Sequence, residues 1–185
     1  ISYNSAIAAC KNGGEWESAL KLMGEMREEG VAADVITFNS AISACAKAGE
    51  WQQALAMLAS MPVEGVEPDV ITYNAAISAC ERGGQWKRAL LLLEEARVAS
   101  LTPDVVSYSA AISACAKAGE WKRALSLLSE MREMGVAPNV FSYSAAISAC
   151  AKGGQWQRAL SLLGEMRAAG VKPNAFSLTS AISAC

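Results

Sequence analysis

The sequence predicts an all-α protein, a solenoid in which antiparallel pairs of helices stack side by side. Two observations predict it. A segment of 35 residues recurs along the whole chain of 185 residues. Within each segment the apolar residues follow the helical period, and no segment shows the strict alternation of a strand. A repeat of this length is typical of stacked units, because one unit cannot bury its apolar face alone.

Two residue types mark the repeat, each at steps of 35 residues. They are Cys10, Cys45, Cys80, Cys115, Cys150 and Cys185, and Trp16, Trp51, Trp86, Trp121 and Trp156. We therefore interpret the chain as a single array over residues 1–185. Its repeats are 1–34 (lacking its first residue), 35–69, 70–104, 105–139, 140–174 and a partial sixth at 175–185.

Each repeat contains the signals of two helices. In the second repeat, Asp34 precedes an apolar run and predicts an N-cap, with the first helix over about residues 35–48. Gly49 ends that helix, since glycine readily adopts a positive φ. The second helix is predicted from about Glu50 to about Met61, where Pro62 cannot continue it. Glycine recurs at the two helix ends as Gly14, Gly84, Gly119 and Gly154, and as Gly30, Gly65, Gly135 and Gly170, with Ser100 in the remaining position.

The helices each carry a predicted core face. In the second helix the apolar stripe starts at Trp51 and continues through Leu55 and Leu58 at helical spacing. We interpret the tryptophans as core residues, with a ligand cage as the alternative. In the first helix, Phe38 and Cys45 lie on the core side.

The cysteines are predicted to be buried, unpaired thiols. Stacked helices lie about 8–10 Å apart, whereas a disulfide needs Cα atoms about 4.4–6.8 Å apart. One cysteine per repeat also lacks the clustered ligands of a zinc site. A reducing compartment is the natural setting for such thiols.

Composition excludes several classes of function. The net charge is −2, whereas a generic polyanion binder is usually strongly basic. The chain contains no histidine, which removes the commonest general base. The repeats show no carboxylate pair, Gly-rich phosphate loop or metal cluster, so we predict neither an enzyme nor a cofactor. No continuous apolar stretch is long enough to span a membrane.

The other side of the first helix carries a recurring polar stripe. In the second repeat it consists of Ile36, Asn39, Ser43 and Lys47, which lie within about 80° of one another. An apolar residue can support a base, an amide or hydroxyl can bind its edge, and a cation can neutralise a phosphate. We interpret the stripe as a ligand-binding band, with a solvated helix face as the alternative.

The 35-residue period and three motifs resemble the pentatricopeptide repeat family. The motifs are ValIleThrTyrAsn at 70–74, CysAlaLysAlaGly at 45–49 and GlyValGluProAsp at 65–69. The resemblance implies a right-handed superhelix that binds single-stranded RNA, one base per repeat. It further implies organellar RNA processing, stabilisation or translation, in mitochondria or chloroplasts. A protein- or peptide-binding scaffold is the alternative.

In the family, the residue after the first-helix aromatic (the reading residue) acts with the last residue of the repeat (the cap residue). The resemblance implies the pairs Asn4/Asp34, Asn39/Asp69, Asn74/Asp104, Ser109/Asn139 and Ser144/Asn174, and Thr179 begins a sixth pair. The family code reads Asn/Asp as uracil and Ser/Asn as adenine, with the protein parallel to the RNA. The predicted target is therefore 5′-UUUAA-3′. The cap residues are also candidate helix N-caps, where Asp and Asn are nearly equivalent.

Two further sets of residues follow from the resemblance. Apolar residues that would sandwich the bases (the platform residues) are Ile1, Ile36, Ile71, Val106, Phe141 and Phe176. Cations that would face phosphates are Lys47, Arg82, Lys117 and Lys152.

Overall fold

The computed structural model describes residues 3–184, which form eleven α-helices and no strand. The helices are α1 (Tyr3–Gly13), α2 (Trp16–Glu28), α3 (Val35–Ala48), α4 (Trp51–Ser60), α5 (Val70–Arg82), α6 (Trp86–Val98), α7 (Val105–Lys117), α8 (Trp121–Glu133), α9 (Val140–Lys152), α10 (Trp156–Ala168) and α11 (Ala175–Ser183). A short 3-10 helix, Pro62–Glu64, follows α4. The predicted all-helical repeat fold is confirmed.

The chain forms two compact units, Ile1–Thr102 and Pro103–Cys185. In the first unit, α1, α3 and α5 contact one another in series. Helix α2 packs against α1 and α3, and α4 packs against α3 and α5. In the second unit, α7, α9 and α11 form such a row, with α8 against α7 and α9, and α10 against α9 and α11. Each unit is therefore a stack of helix pairs whose odd-numbered helices form one continuous row.

Left-handed backbone ends the helices where the sequence predicts it. Gly49 ends α3 with a φ of 82°. All eight other glycines predicted at helix ends also have positive φ. Ser100, in the remaining position, has a φ of 60° and is the one non-glycine residue with positive φ among residues 3–184. The backbone conformation thus recurs even where the sequence departs from glycine.

In each unit the core lies between the row of odd-numbered helices and the helices packed against it, and it contains predicted thiols. Phe38, Ile42 and Cys45 are fully buried, and the thiols in the described range are unpaired. Cysteines at the equivalent position of the next three repeats are also buried, whereas Cys10 is half-buried and Cys185 lies outside the described residues. Burial raises the pKa of the Cys45 thiol to about 11, which makes it a weak nucleophile at neutral pH. The prediction of structural thiols is confirmed for the buried cysteines.

The tryptophans are not core residues, so that prediction is wrong. Four are half-buried and Trp156 is 47% exposed. The Trp51 ring lies against Gly83 of the next repeat, where an added Cβ would be 2.2 Å from the ring atom Cδ1. The Arg88 guanidinium lies over the same ring, 4.8 Å from its centre. Each tryptophan begins a second helix, at the edge of the apolar stripe, and the Trp51 ring packs against the next repeat.

Two classes of feature are absent from residues 3–184. No helix there combines the length and apolar character needed to span a membrane. No group of three or more His, Cys, Asp or Glu side chains in this range could hold a metal ion.

Candidate nucleic-acid interface

An Asp or Asn N-cap begins every odd-numbered helix from α3 onward. Before α5, the Asp69 Oδ1 accepts the Thr72 N–H at 2.8 Å, and the Thr72 Oγ1 accepts the Asp69 N–H at 3.0 Å. This reciprocal capping box recurs with Asp34, Asp104, Asn139 and Asn174. All five cap residues are therefore helix N-caps, as the alternative interpretation of the sequence expected.

The cap residues also contact the reading residues of the preceding helix. The Asn39 Nδ2 donates to the Asp69 Oδ1 at 3.1 Å, and the Asn4 Nδ2 donates to the Asp34 Oδ2 at 3.3 Å. In the second unit the reading residues are serines. The Ser109 and Ser144 hydroxyls lie 3.4 and 3.3 Å from the Oδ1 atoms of their cap residues, Asn139 and Asn174. The structure thus joins four of the predicted pairs by direct hydrogen bonds.

The reading residues differ in exposure. Asn39 and Ser144 are buried, whereas Asn4, Asn74 and Ser109 are half-buried. Asn74 lies on α5, and its predicted partner Asp104 caps α7. Thr179 on α11 is exposed. The Asn39 amide hydrogen-bonds with the start of α5, through Asp69 and Thr72.

The platform residues are large apolar side chains exposed to solvent. The exposed fractions are 62% for Ile36, 60% for Ile71, 50% for Val106, 69% for Phe141 and 57% for Phe176. Ile1 lies outside the described residues. Each described platform residue lies three positions before its reading residue, which places the two on one helix face. Repeated exposure of large apolar groups beside polar ones is typical of a binding surface.

Two of the predicted phosphate-contacting cations bind the preceding repeat. The Lys47 Nζ donates to the Asn12 carbonyl at 3.3 Å, and the Arg82 Nη1 donates to the Lys47 carbonyl at 3.2 Å. Both contacts satisfy carbonyls at the C-terminal end of a helix, where positive charge is favourable. Lys117 and Lys152 are also exposed. The local sequence pattern does not predict these carbonyl contacts, because the partners lie one full repeat apart.

Hydrogen bonds lower the pKa of two cap carboxylates, Asp34 and Asp69. The Thr37 hydroxyl and its N–H lower the pKa of Asp34 below its ordinary value, and Asn4 adds to the effect. Burial raises the pKa of Asp69, but hydrogen bonds from Thr72 and Asn39 outweigh it, so its pKa is also lowered. At neutral pH both side chains therefore act as hydrogen-bond acceptors only.

Two buried hydroxyls that contact the reading residues were not predicted from the sequence. The Thr37 Oγ1 lies 2.6 Å from the Asn4 Oδ1, and the Thr72 Oγ1 lies 2.6 Å from the Asn39 Oδ1. The available signal was a hydroxyl residue three positions after each cap residue. It recurs as Thr37, Thr72, Ser107, Ser142 and Ser177.

Comparison with known proteins agrees with the repeat organisation. The model of the PPR repeat family matches at residues 1–47, 33–82, 68–117, 103–152 and 138–185, which together cover the chain. No curated protein sequence matches the chain significantly.

Solved structures with the same fold include RNA complexes. The chain is similar to the pentatricopeptide repeat protein PPR10 in complex with an 18-nt psaJ RNA element, with 29% identity, a TM-score of 0.84 and 98% of this chain covered. PPR10 from maize matches with 32% identity and a TM-score of 0.80. The chain spans 27% and 26% of these two structures. The PPR domain of Arabidopsis thaliana protein-only RNase P 1 in complex with tRNA has a TM-score of 0.82 over 97% of this chain and 95% of that domain. Its sequence is 17% identical to that of this chain, so the likeness is one of fold alone.

Proposed function

Because the chain belongs to the PPR repeat family, we propose that it binds single-stranded RNA and reads one base per repeat. The observation that carries the proposal is the bond between Asn39 and Asp69, beside the exposed Ile36 and Ile71. The exposed apolar side chains would support a base, and the polar pair beside them would bind its edge. The RNA bound to PPR10 supports RNA as the ligand class.

Base recognition follows from the donors and acceptors of each pair. In an Asn/Asp pair, the amide offers an N–H and a carbonyl oxygen, which match the O4 acceptor and the N3–H donor of uracil. In a Ser/Asn pair, a hydroxyl can both donate and accept, which matches the N1 acceptor and the N6 amino group of adenine. The proposed target is 5′-UUUAA-3′, read from the first repeat to the fifth.

The proposed action is occupancy of an RNA strand without catalysis by this chain. A bound solenoid would block nucleases, remodel a hairpin or guide a partner. Stacking contributes about 1–3 kcal/mol per base, and ordering of the RNA offsets part of it. We expect micromolar affinity for this segment, and we propose a role in organellar RNA metabolism as in the family.

Fluorescence anisotropy with labelled oligomers tests the target. We expect 5′-UUUAA-3′ to bind more tightly than the scrambled 5′-AUUAU-3′, with an affinity that falls as salt rises. Equal affinities would contradict the code. An absence of RNA binding would favour a peptide-binding scaffold, for which the first unit offers a groove of about 340 Å³ lined by Leu55, Tyr73 and Leu91.

A pair exchange tests the assignment of one repeat to one base. The double variant Asn39→Ser with Asp69→Asn creates the pair of the fourth repeat in the second. We expect its preference at the second base to move from uracil to adenine, while the other four bases keep theirs. The matched control, Gln53→Ser with Glu17→Asn, removes the same groups from exposed positions on α4 and α2 and is expected to change no preference.

A further inference from the structure

We propose that the buried hydroxyls of Thr37 and Thr72 determine base specificity. Each would fix the orientation of a reading amide, that of Asn4 or Asn39, so that the amide selects uracil over cytosine. The inference rests on the proposed function and adds to it a third residue per repeat. Thr37 and Thr72 are positioning residues, since they act through the asparagines.

The contacts of Thr72 show how the hydroxyl reaches the reading residue. Its side chain is fully buried. Its Oγ1 lies 2.6 Å from the Asn39 Oδ1 and 2.8 Å from the Asp69 Oδ1. Thr37 has the same surroundings in the preceding repeat, at 2.6 Å from the Asn4 Oδ1 and 2.7 Å from the Asp34 Oδ1. The arrangement therefore occurs twice in the first unit.

The donors and acceptors around Asn39 determine the orientation of its side-chain amide. The ionised Asp69 carboxylate accepts only, so the Asn39 group that faces it is the NH₂. The Asn39 carbonyl oxygen then faces Thr72, whose single hydroxyl proton it accepts. The Asp69 Oδ1 already accepts the Thr72 N–H at 2.8 Å and the Asn39 Nδ2 at 3.1 Å. The Asn39 amide is thus held at both its nitrogen and its oxygen.

A fixed amide can distinguish the two pyrimidines. Uracil presents an acceptor at O4 beside a donor at N3, whereas cytosine presents a donor at N4 beside an acceptor at N3. An amide in one orientation matches the order in uracil, and the flipped amide matches cytosine. The Asp69 carboxylate determines that the Asn39 NH₂ faces it, and the Thr72 hydroxyl holds the Asn39 carbonyl oxygen in place. Without the hydroxyl, the amide could rotate about the Nδ2 contact and carry its acceptor away from the N3–H of uracil.

Two serines of the second unit make a different contact. There the Ser142 Oγ donates to the carbonyl of its own cap residue, Asn139, at 3.0 Å, and the Ser177 Oγ donates to the Asn174 carbonyl at 2.9 Å. The reading residues of these repeats are serines, whose hydroxyls have no amide orientation to fix. We therefore assign the positioning role where the reading residue is an asparagine, as at Thr37 and Thr72.

Single-base changes in the RNA test the proposal. Anisotropy would compare 5′-UUUAA-3′ with 5′-UCUAA-3′ and 5′-CUUAA-3′. We expect the protein to prefer uracil about tenfold at each altered base. Thr72→Val is expected to lower the preference to about threefold or less at the second base and to leave the first unchanged. Thr37→Val is expected to do the reverse.

Two variants serve as controls. One retains the positioning hydroxyl, and the other removes a hydroxyl that has no positioning role. Thr72→Ser retains a hydroxyl and is expected to keep the tenfold preference. Ser142→Ala removes a hydroxyl that does not contact a reading residue, and it is expected to keep the preference for adenine at the fourth base. Circular dichroism checks that each variant is folded, and Thr37→Val provides the test if Thr72→Val does not fold.

The outcomes separate this proposal from the proposed function. A protein that binds all three oligomers equally would overturn the uracil code together with this inference. A protein that prefers uracil, with Thr→Val variants that keep the full preference, would overturn the positioning role alone. A loss of preference at both bases in a single variant would also contradict it, since each threonine contacts one reading residue.

Discussion

Asn39 and Asp69 lie 30 residues apart in the chain, and the Asn39 Nδ2 donates to the Asp69 Oδ1 over 3.1 Å. The same oxygen accepts the Thr72 N–H and thereby caps α5. One carboxylate therefore begins a helix, joins two repeats and completes a predicted reading pair. The position of the reading groups depends on the stacking of the repeats.

The two roles of Asp69 can be separated by substitution. Asp69→Ala removes the N-cap and is expected to lower the free energy of unfolding by about 1 kcal/mol. Asp69→Asn is expected to preserve it, because Asn is an equivalent cap and serves as one at Asn139. Urea unfolding followed by circular dichroism measures both. If Asp69→Asn were as destabilising as Asp69→Ala, the negative charge and not the cap would be the stabilising feature.

Asp34 and Asp69 also make the stability of the protein depend on pH. Hydrogen bonding lowers the pKa of both Asp34 and Asp69 in the folded chain. Their stabilising contribution is therefore fully present above the ordinary aspartate pKa of about 3.9 and is lost as pH falls through the lower folded-state values. We expect this contribution to be constant from neutral pH down to about 5 and to decline below about 4.

Urea unfolding at a series of pH values measures this dependence. The matched comparison is Asp34→Asn with Asp69→Asn, which keeps both caps and removes both titrating groups. The double variant is expected to show a shallower decline in acid than the natural chain. An identical decline would assign the acid sensitivity to other carboxylates.

Local signals in the sequence predicted the helices well. Asp34 and Gly49 bracket α3 at Val35–Ala48, the range that their capping preferences predict. Even Ser100 has the positive φ of the glycines that it replaces. These features depend on a few neighbouring residues, so a sequence pattern is sufficient to find them.

Features that depend on contacts between repeats were harder to predict. The Thr72 hydroxyl binds Asn39, which precedes it by 33 residues, and Lys47 binds a carbonyl 35 residues earlier. Trp51 fits the apolar stripe of its own helix, but its ring packs on Gly83 of the next repeat. Periodicity within one helix identifies a face and does not identify its partner.

The platform role of Ile36 predicts a loss of binding without a loss of stability. Its side chain is 62% exposed, so Ile36→Ala is expected to change the free energy of unfolding by less than about 0.5 kcal/mol. Loss of a base support is expected to weaken RNA binding about fivefold. The control is Leu91→Ala on α6, which is also 62% exposed and lies outside the proposed interface. Equal losses of affinity in the two variants would contradict a specific role for Ile36.

The contact between Trp51 and Gly83 predicts a steric requirement for glycine. A Cβ at position 83 would be 2.2 Å from the Trp51 Cδ1 and 2.8 Å from its Cγ, so the ring must move. We expect Gly83→Ala to destabilise the protein by about 1–3 kcal/mol and to change the tryptophan emission.

Gly24 provides the matched control, because it lies within α2 and an added Cβ there meets nothing within 4 Å. Gly24→Ala is expected to stabilise the protein by about 0.5–1 kcal/mol through helix propensity. Thermal unfolding of both variants and of Gly83→Ala with Trp51→Ala completes the test. Trp51→Ala removes the ring with which the added Cβ would clash. The double variant is therefore expected to be no less stable than Trp51→Ala alone. A penalty that persisted without the ring would place its cause in the backbone at the end of α5.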